Sequence, residues 1–222
     1  MLCDQDDVWC PDKIERTLFA MEKAEEQAGK ETPVLVHTDL TVVDEDLRVL
    51  ASSYRHTVNG NWQRTALHWE LAQNTVTGCT AMYNRALGDL LQDEPSFFVM
   101  HDWWLALTAS AFGLIVPLDE ATILYRQHGD NAVGAKFVRS PRYLLRRLFD
   151  VKGYRKELAE TFLQSESFYD AFRDRLSPEQ RALTAGYGSL SQAGWLRRRW
   201  FQLKNRTVKY GVVKKAAGFL FG

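Results

Sequence analysis

The chain has 222 residues, of which 45% are hydrophobic and 25% charged, so its composition is that of a globular protein and excludes a disordered chain. The net charge of zero conceals an asymmetry, because residues 1–135 carry 9 Lys/Arg against 21 Asp/Glu, whereas residues 136–222 carry 19 against 7. This split predicts two regions that face different partners.

Cysteine spacing and hydropathy exclude two further classes. Cys3, Cys10 and Cys79 are odd in number and lack CxxC spacing, which argues against a zinc site and favours a reducing compartment. The longest apolar run, residues 106–118, is too short to cross a bilayer and contains Gly113 and Pro117. We therefore predict a cytoplasmic protein without a transmembrane helix.

An acidic segment opens the chain. Asp4, Asp6 and Asp7 follow a short apolar lead and precede residues 11–28, where a proline and apolar residues at helical spacing predict a helix. Carboxylates in such a turn can bind a hard cation, Mg²⁺ or Mn²⁺, together with phosphate oxygens. The alternative is that they only cap the helix, since negative charge is favourable at its N-terminal end.

Residues 34–40 form an apolar run bounded by Pro33, which predicts a buried strand with His37 and Asp39 on one face. The polar residues 44–61 predict a loop. Further along, the sequence Thr-Gly-Cys-Thr at residues 77–80 places Gly78 where the backbone can turn tightly and approach a ligand. The plain interpretation of this segment is a turn that leads into a strand.

Asp102 stands at the start of an apolar helical stretch. An aspartate there is ordinarily a helix cap, worth about 1 kcal/mol. The following Trp103 and Trp104 belong to the core in most proteins, although aromatic faces also stack on sugars.

Another apolar strand is predicted before Arg126 and His128. A guanidinium suits a phosphate and a neutral imidazole can bind a metal, but both side chains are also common on solvated surfaces.

Four segments in this order resemble the family 2 glycosyltransferases, and most closely their rhamnosyltransferase branch. They are Asp-Gln-Asp-Asp at residues 4–7, Thr-Gly-Cys-Thr at 77–80, His-Asp at 101–102 and Tyr-Arg-Gln-His-Gly-Asp-Asn at 125–131. The resemblance implies an α/β fold of the GT-A (Rossmann-like) type. It also implies inverting transfer of a sugar, with L-rhamnose from its dTDP donor as a candidate, to a glycan or lipid-linked saccharide.

The same resemblance implies roles for individual residues and a divalent cofactor, Mn²⁺ or Mg²⁺. The implied roles are a general base at Asp102, metal binding by Asp6 and His128, donor and diphosphate binding by Asp4, Gly78 and Arg126, and acceptor binding by Trp103 and Trp104.

The chain departs from the family pattern at its start. A GT-A domain binds the base and ribose of its donor with strand–helix units that precede the Asp-X-Asp segment, and here only residues 1–3 precede it. We therefore expect residues 1–135 to be the C-terminal part of a GT-A domain, with an impaired activity.

Residues 136–222 predict a helical basic tail, in which the sequence Ser-Pro-Glu-Gln at residues 177–180 marks the start of a helix. No acidic residue follows Glu179, and residues 195–222 combine eight Lys/Arg with aromatic residues. This pattern predicts peripheral binding to an anionic membrane at its inner face. Nucleic acid is not expected as a partner, because the chain has no RNA-binding motif and no basic overall charge. The remaining alternative is a solvated helix packed on the catalytic domain.

Two other functions stay open at this point. A magnesium-dependent phosphohydrolase would use Asp4 as the nucleophile and Asp6 as the acid and base, although Val8 fits that motif only loosely. A non-catalytic glycan-binding fragment is the third possibility.

Overall fold

The computed structural model describes residues 1–58, 60–91, 95–127, 150–211 and 218. A mixed β-sheet forms the N-terminal part of this structure. Its strands are β1 (Val8–Trp9), β2 (Val34–Val43), β3 (Val49–Ala51), β4 (Ala81–Tyr83) and β5 (Leu114–Arg126). The prediction of an α/β chain is confirmed at this level.

Strand β2 lies at the centre of the sheet. It pairs in parallel with β5, from Val34 opposite Leu114 to Val43 opposite Arg126, and β1 extends the sheet by antiparallel pairing with β5. On its other side β2 pairs antiparallel with β4 along its first half and with β3 at its end. The predicted strand is therefore present, but it continues to Val43 instead of ending at residue 40.

The central strand is buried on both faces, which is why its sequence is almost continuously apolar. Its pairing with β5 shifts in register on either side of Asp39. The buried polar residues His37, Thr38 and Asp39 lie at this irregular point.

Helices separate several of the strands in the sequence and follow the last one. They are α1 (Lys13–Ala28), α2 (Tyr54–Val58), α3 (Leu67–Glu70), α4 (Arg85–Gly88), α5 (His101–Phe112), α6 (Val151–Phe172), α7 (Pro178–Gly188) and α8 (Trp195–Lys204). The predicted start at Ser177-Pro178 is confirmed, because Ser177 and Gln180 form a reciprocal capping box.

Helix α1 is present, but its buried face differs from the one that the spacing of its apolar residues favours. Apolar spacing favours Ile14 and Leu18 as inward residues, yet they are 54% and 43% exposed. The face that packs against the sheet instead contains Lys13, Thr17 and Met21. The apolar spacing therefore describes the packing only in the second half of α1, where Met21 joins Val36 in a core cluster.

Helix α5 passes directly into β5 through Gly113. The next amide, Leu114 N–H, donates to Pro33 O at 2.9 Å, which starts the register between β5 and β2. A Cβ atom at residue 113 would lie 1.8 Å from the same carbonyl oxygen. Glycine is required here because the two backbones touch.

The C-terminal helices share a hydrophobic cluster with α5. The ring of Trp104 in α5 lies 5.3 Å from that of Phe168 in α6, and Phe162 and Tyr187 belong to the same cluster. After α8 the chain returns to the N-terminal region, where Tyr210 N–H donates to Gln73 Oε1 at 2.8 Å. The acidic and basic halves of the sequence thus contribute to one core.

Across the part of the chain that the structure describes, no helix combines the length and hydrophobicity needed to span a bilayer.

Candidate functional site

The acidic turn lies against the end of β5. The pairing of β1 with β5 brings residues 4–7 beside Arg126, whose backbone N–H donates to Asp7 Oδ1 at 3.2 Å. One carboxylate oxygen each of Asp4 and Asp7 and the sulfur of Cys79 lie within 4.8 Å of one another. Three predicted segments, distant in sequence, therefore meet at one point.

Asp7 is the most perturbed member of this group. Its pKa is raised to about 6, mainly by burial and in smaller part by the charges of Asp4 and Asp6, while hydrogen bonds with the Arg126 N–H and the Cys79 side chain lower it. Its Oδ2 atom is buried and has no hydrogen-bond partner within the described structure. A buried carboxylate oxygen without a partner is costly. A cation held between Asp4 and Asp7 would satisfy it.

The donor set of this group suits a hard divalent cation. Such ions prefer carboxylate oxygens, which Asp4 and Asp7 supply. Burial raises the pKa of the Cys79 thiol well above its usual range, so the sulfur stays protonated and is a poor ligand for such an ion.

The side chain of Lys13 is buried close to the acidic turn. Lys13, in the first turn of α1, is completely buried, with its Nζ atom 5.1 Å from the Trp9 ring centroid and 3.5 Å from Thr122 Oγ1. Burial lowers its pKa, while nearby groups, Cys79 and Asp7 among them, raise it. Sequence reasoning missed this lysine as a buried group, because the apolar pattern of α1 placed Ile14 on the inner face instead.

Asp102 lies on the other side of the Gly78–Cys79 turn. Its Oδ2 atom accepts the N–H of Gly78 at 2.9 Å, and its Oδ1 atom accepts Asn74 Nδ2 at 3.1 Å. The residue is only 4% exposed, and burial raises its pKa. It is not the helix cap, because Met100 occupies the cap position and Asp102 lies in the first turn.

Gly78 needs its small size at this contact. A Cβ atom there would lie 2.9 Å from His101 Nε2 and 3.3 Å from Asp102 Cβ. Gly78 and Cys79 are consecutive in one 3-10 turn, so the acidic group and Asp102 are joined through two adjacent residues. The predicted tight turn is present and its backbone approaches Asp102, while the approach of Gly78 to a ligand stays a prediction.

Glu70 adds a second buried carboxyl group near Asp102. It is completely buried, and burial raises its pKa to about 8, with a smaller contribution from the charge of Asp102. Thr75 donates to it through its hydroxyl and its backbone N–H, and Trp103 Nε1 donates to its carbonyl oxygen at 2.7 Å. No sequence pattern marks this glutamate, since its burial results from the packing of α3 on α5.

The other predicted site residues have different surroundings. Asp6 is half-buried and lies outside the group formed by Asp4, Asp7 and Cys79. Arg126 reaches the group through its backbone, and its Nη1 atom donates to Glu45 O at 3.4 Å. His128 lies outside the described residues.

The two tryptophans differ from each other. Trp103 is half-buried and held by its bond to Glu70, whereas Trp104 is 6% exposed and packs between Phe168 and Phe172. Trp104 is therefore a core residue and presents no open face on which a sugar could stack.

Comparison with known proteins gives no relative: no family model, curated protein or solved structure matches the chain.

Proposed function

We propose that the chain acts in the metal-dependent, inverting transfer of a sugar from a nucleotide-sugar donor to a glycan or lipid-linked saccharide, with L-rhamnose as a candidate sugar. The observation that carries the proposal is the buried Oδ2 of Asp7, which has no hydrogen-bond partner in the described structure and lies in the same group as Asp4. The approach of Gly78 to Asp102 supports it further.

The reaction needs a carboxylate on the side of the sugar opposite the leaving group. The acceptor hydroxyl oxygen bonds to the anomeric carbon, the bond from that carbon to the diphosphate breaks, and the hydroxyl proton passes to the carboxylate. Asp102 is the proposed proton acceptor, and its raised pKa makes it a stronger base than an exposed aspartate. Its Oδ1 atom would exchange Asn74 for the hydroxyl, while the N–H of Gly78 keeps Oδ2 in place.

The proposed role of the acidic turn is to bind the diphosphate of the donor through a metal ion. Asp4 and Asp7 are the residues that would hold Mn²⁺ or Mg²⁺, and a bound cation would neutralise charge on the leaving diphosphate. The N–H of Arg126 fixes Asp7 Oδ1 and thereby leaves Oδ2 as the atom that needs a partner. This assignment replaces Asp6 with Asp7, because Asp7 is the residue grouped with Asp4.

A phosphohydrolase is the second candidate. Asp4 is exposed and lies beside Asp7, whose raised pKa suits a general acid. Asp7 thus replaces Asp6, the acid and base that the sequence suggested, because Asp7 is grouped with Asp4. In that reaction an Asp4 oxygen attacks phosphorus, the leaving alkoxide takes a proton from Asp7, and water then hydrolyses the aspartyl phosphate. It needs no sugar acceptor, which makes the two reactions separable.

The first experiment measures metal binding directly. Free Mn²⁺ is titrated by electron paramagnetic resonance against the wild type and the Asp4→Asn and Asp7→Asn variants, with Asp89→Asn as a matched control on the exposed surface of the chain. We expect the two site variants to bind Mn²⁺ at least about tenfold more weakly and the control to bind normally. Below pH 6 wild-type affinity should fall, because Asp7 must lose its proton to bind. Equal affinities in all four proteins would refute the site.

The second experiment follows the reaction. Transfer of labelled sugar from nucleotide sugars, starting with dTDP-L-rhamnose, to saccharide acceptors is measured with Mn²⁺ and with excess chelator. Transfer that requires the metal supports the proposal, and undiminished transfer in chelator contradicts it. Phosphate release from phosphomonoesters without an acceptor would establish the phosphohydrolase instead.

A further inference from the structure

Helix α8 has its polar and apolar faces reversed relative to an ordinary surface helix. Leu196, Trp200 and Leu203, spaced at helical intervals, are 76%, 62% and 66% exposed, whereas Arg199 and Gln202 are only 9% and 5% exposed. Helices that face water normally bury the apolar residues and expose the charges. The outward face of α8 is thus suited to an apolar partner.

Contacts on its inner side hold α8 in this orientation. Arg198 donates to the carbonyl oxygens of Leu190 and Ser191 at 2.9 and 3.0 Å. Phe201 packs so closely on Gly186 that a Cβ atom there would lie 2.5 Å from the ring. Rotation of the helix to hide its leucines would break these contacts, so the exposed apolar face is a fixed part of the surface.

Two exposed basic residues lie beside this face. Arg197 and Lys204 are exposed beside it, and the Lys204 ammonium lies 4.8 Å from the centroid of the Trp200 ring. Trp195, at the start of the helix, is also 45% exposed. The sequence contains no acidic residue after Glu179, so α8 and the segment that follows have no negatively charged side chain that would repel an anion.

We propose that the exposed face of α8, formed by Leu196, Trp200 and Leu203 with Arg197 and Lys204 at its rim, docks on an anionic lipid bilayer. Tryptophan and leucine enter the headgroup and upper acyl region, and lysine or arginine at the rim binds anionic headgroups. The helix lies in the plane of the interface and the rest of the protein stays outside the bilayer. This role is independent of the proposed reaction.

The composition of the face favours a bilayer over nucleic acid or protein. Proteins that bind nucleic acid combine basic side chains with aromatic side chains on which the nucleobases stack. They do not require two outward leucines at the centre of the surface. A second copy of the chain would bring Arg197 and Lys204 against the same basic rim. Anionic headgroups over an apolar layer match both the charge and the hydrophobicity.

The test uses the full chain and vesicles of phosphatidylcholine with or without 30% phosphatidylglycerol, in a flotation assay. The apolar variant is Leu196→Ser/Trp200→Ser, and the charge variant is Arg197→Ala/Lys204→Ala. A matched control, Phe19→Ser/Leu163→Ser, removes exposed apolar residues, 69% and 45% exposed, from other helices. Circular dichroism spectra are used to check that each variant keeps the wild-type fold.

We expect wild type and control to bind anionic vesicles and to bind neutral vesicles weakly. The apolar variant should lose about tenfold or more in partitioning. The partitioning of the charge variant should fall about fivefold for each basic residue removed. The binding that remains should resist high salt. Fluorescence quenching by brominated lipids should fall when Trp200 is removed.

Any of four results would overturn the proposal. They are an absence of vesicle binding by the wild type, undiminished binding by the apolar variant, an equal loss in the control variant, and wild-type binding to duplex RNA or to a second copy of the chain in place of vesicles.

Discussion

At the residue scale, Asp102 has one observed role and one proposed role. It holds the Gly78–Cys79 turn by accepting the N–H of Gly78, and it is the proposed proton acceptor. Asparagine has the same shape and can accept that N–H, but it cannot take a proton from a hydroxyl. We expect Asp102→Asn to lower turnover by about 10²–10⁴-fold with a small change in melting temperature.

Asn74→Ala is the matched control, because it removes the neighbour of Asp102 Oδ1 and leaves the carboxylate in place. Its turnover should fall by less than about tenfold. An Asp102→Asn protein with normal turnover and a lowered melting temperature would show that Asp102 is only a structural brace.

Glu70 provides a pH test of the buried region. Its pKa is raised to about 8 in the folded chain, so the folded state holds a proton that the unfolded chain releases near pH 4.5. The resulting stabilisation is complete below pH 4.5 and is lost as pH rises toward 8. This loss should be absent in Glu70→Gln. Between pH 5 and 8 the free energy of unfolding of the variant should therefore fall by about 1–3 kcal/mol less than that of wild type.

Urea unfolding at several pH values measures this difference, with Glu22→Gln on the exposed side of α1 as the control. The control should follow the wild-type pH dependence. Parallel curves for wild type and Glu70→Gln would contradict the raised pKa of Glu70.

At the scale of elements, the junction between α5 and β5 depends on one residue. A side chain at residue 113 would meet the backbone oxygen of Pro33, which also starts the pairing of β5 with β2. Because a backbone atom cannot move aside, we expect Gly113→Ala to cost about 3 kcal/mol or more, or to prevent folding.

Gly194→Ala is the control for this prediction. A Cβ atom at residue 194 meets nothing within 4 Å, and its φ of −68° is accessible to alanine. Thermal unfolding should therefore separate the two alanine variants widely. A Gly113→Ala protein with the melting temperature of wild type would contradict the close backbone contact.

At the scale of the whole molecule, the shared core makes a prediction about cooperativity. Phe168 is completely buried and lies 5.3 Å from Trp104, so it connects α6 with α5. Phe168→Ala should destabilise the protein by about 3–5 kcal/mol. Because the core is continuous, circular dichroism and tryptophan fluorescence should show one transition that shifts as a unit. Two separate transitions, with only the helical one shifted, would indicate independent halves.

The composition of the two halves predicted different partners, and it carries no information about their packing. The acidic part and the basic part contribute to one cluster because apolar residues occur in both, as Trp104 and Phe168 illustrate. The charge asymmetry instead affects the surface, where α8 exposes Arg197 and Lys204.

Sequence alone determined the features that depend on neighbouring residues. The apolar run in β2, the capping box at Ser177 and the acidic turn at residues 4–7 are local patterns, and each occurs where it was predicted. The first half of α1 is the exception, because Lys13 and not Ile14 faces the sheet. There the acidic turn and the aromatic ring of Trp9 offer a buried lysine partners that helical periodicity does not reveal.

Only the tertiary structure decided which groups form the candidate site. The pairing of β1 with β5 brings Asp7 to Arg126, and the turn before β4 brings Gly78 to Asp102. Spacing in the sequence could not select Asp7 over Asp6, because that choice depends on which carboxylate faces Cys79 after the sheet has formed. Contacts between residues far apart in sequence are fixed by strand pairing, and strand pairing is a property of the folded chain.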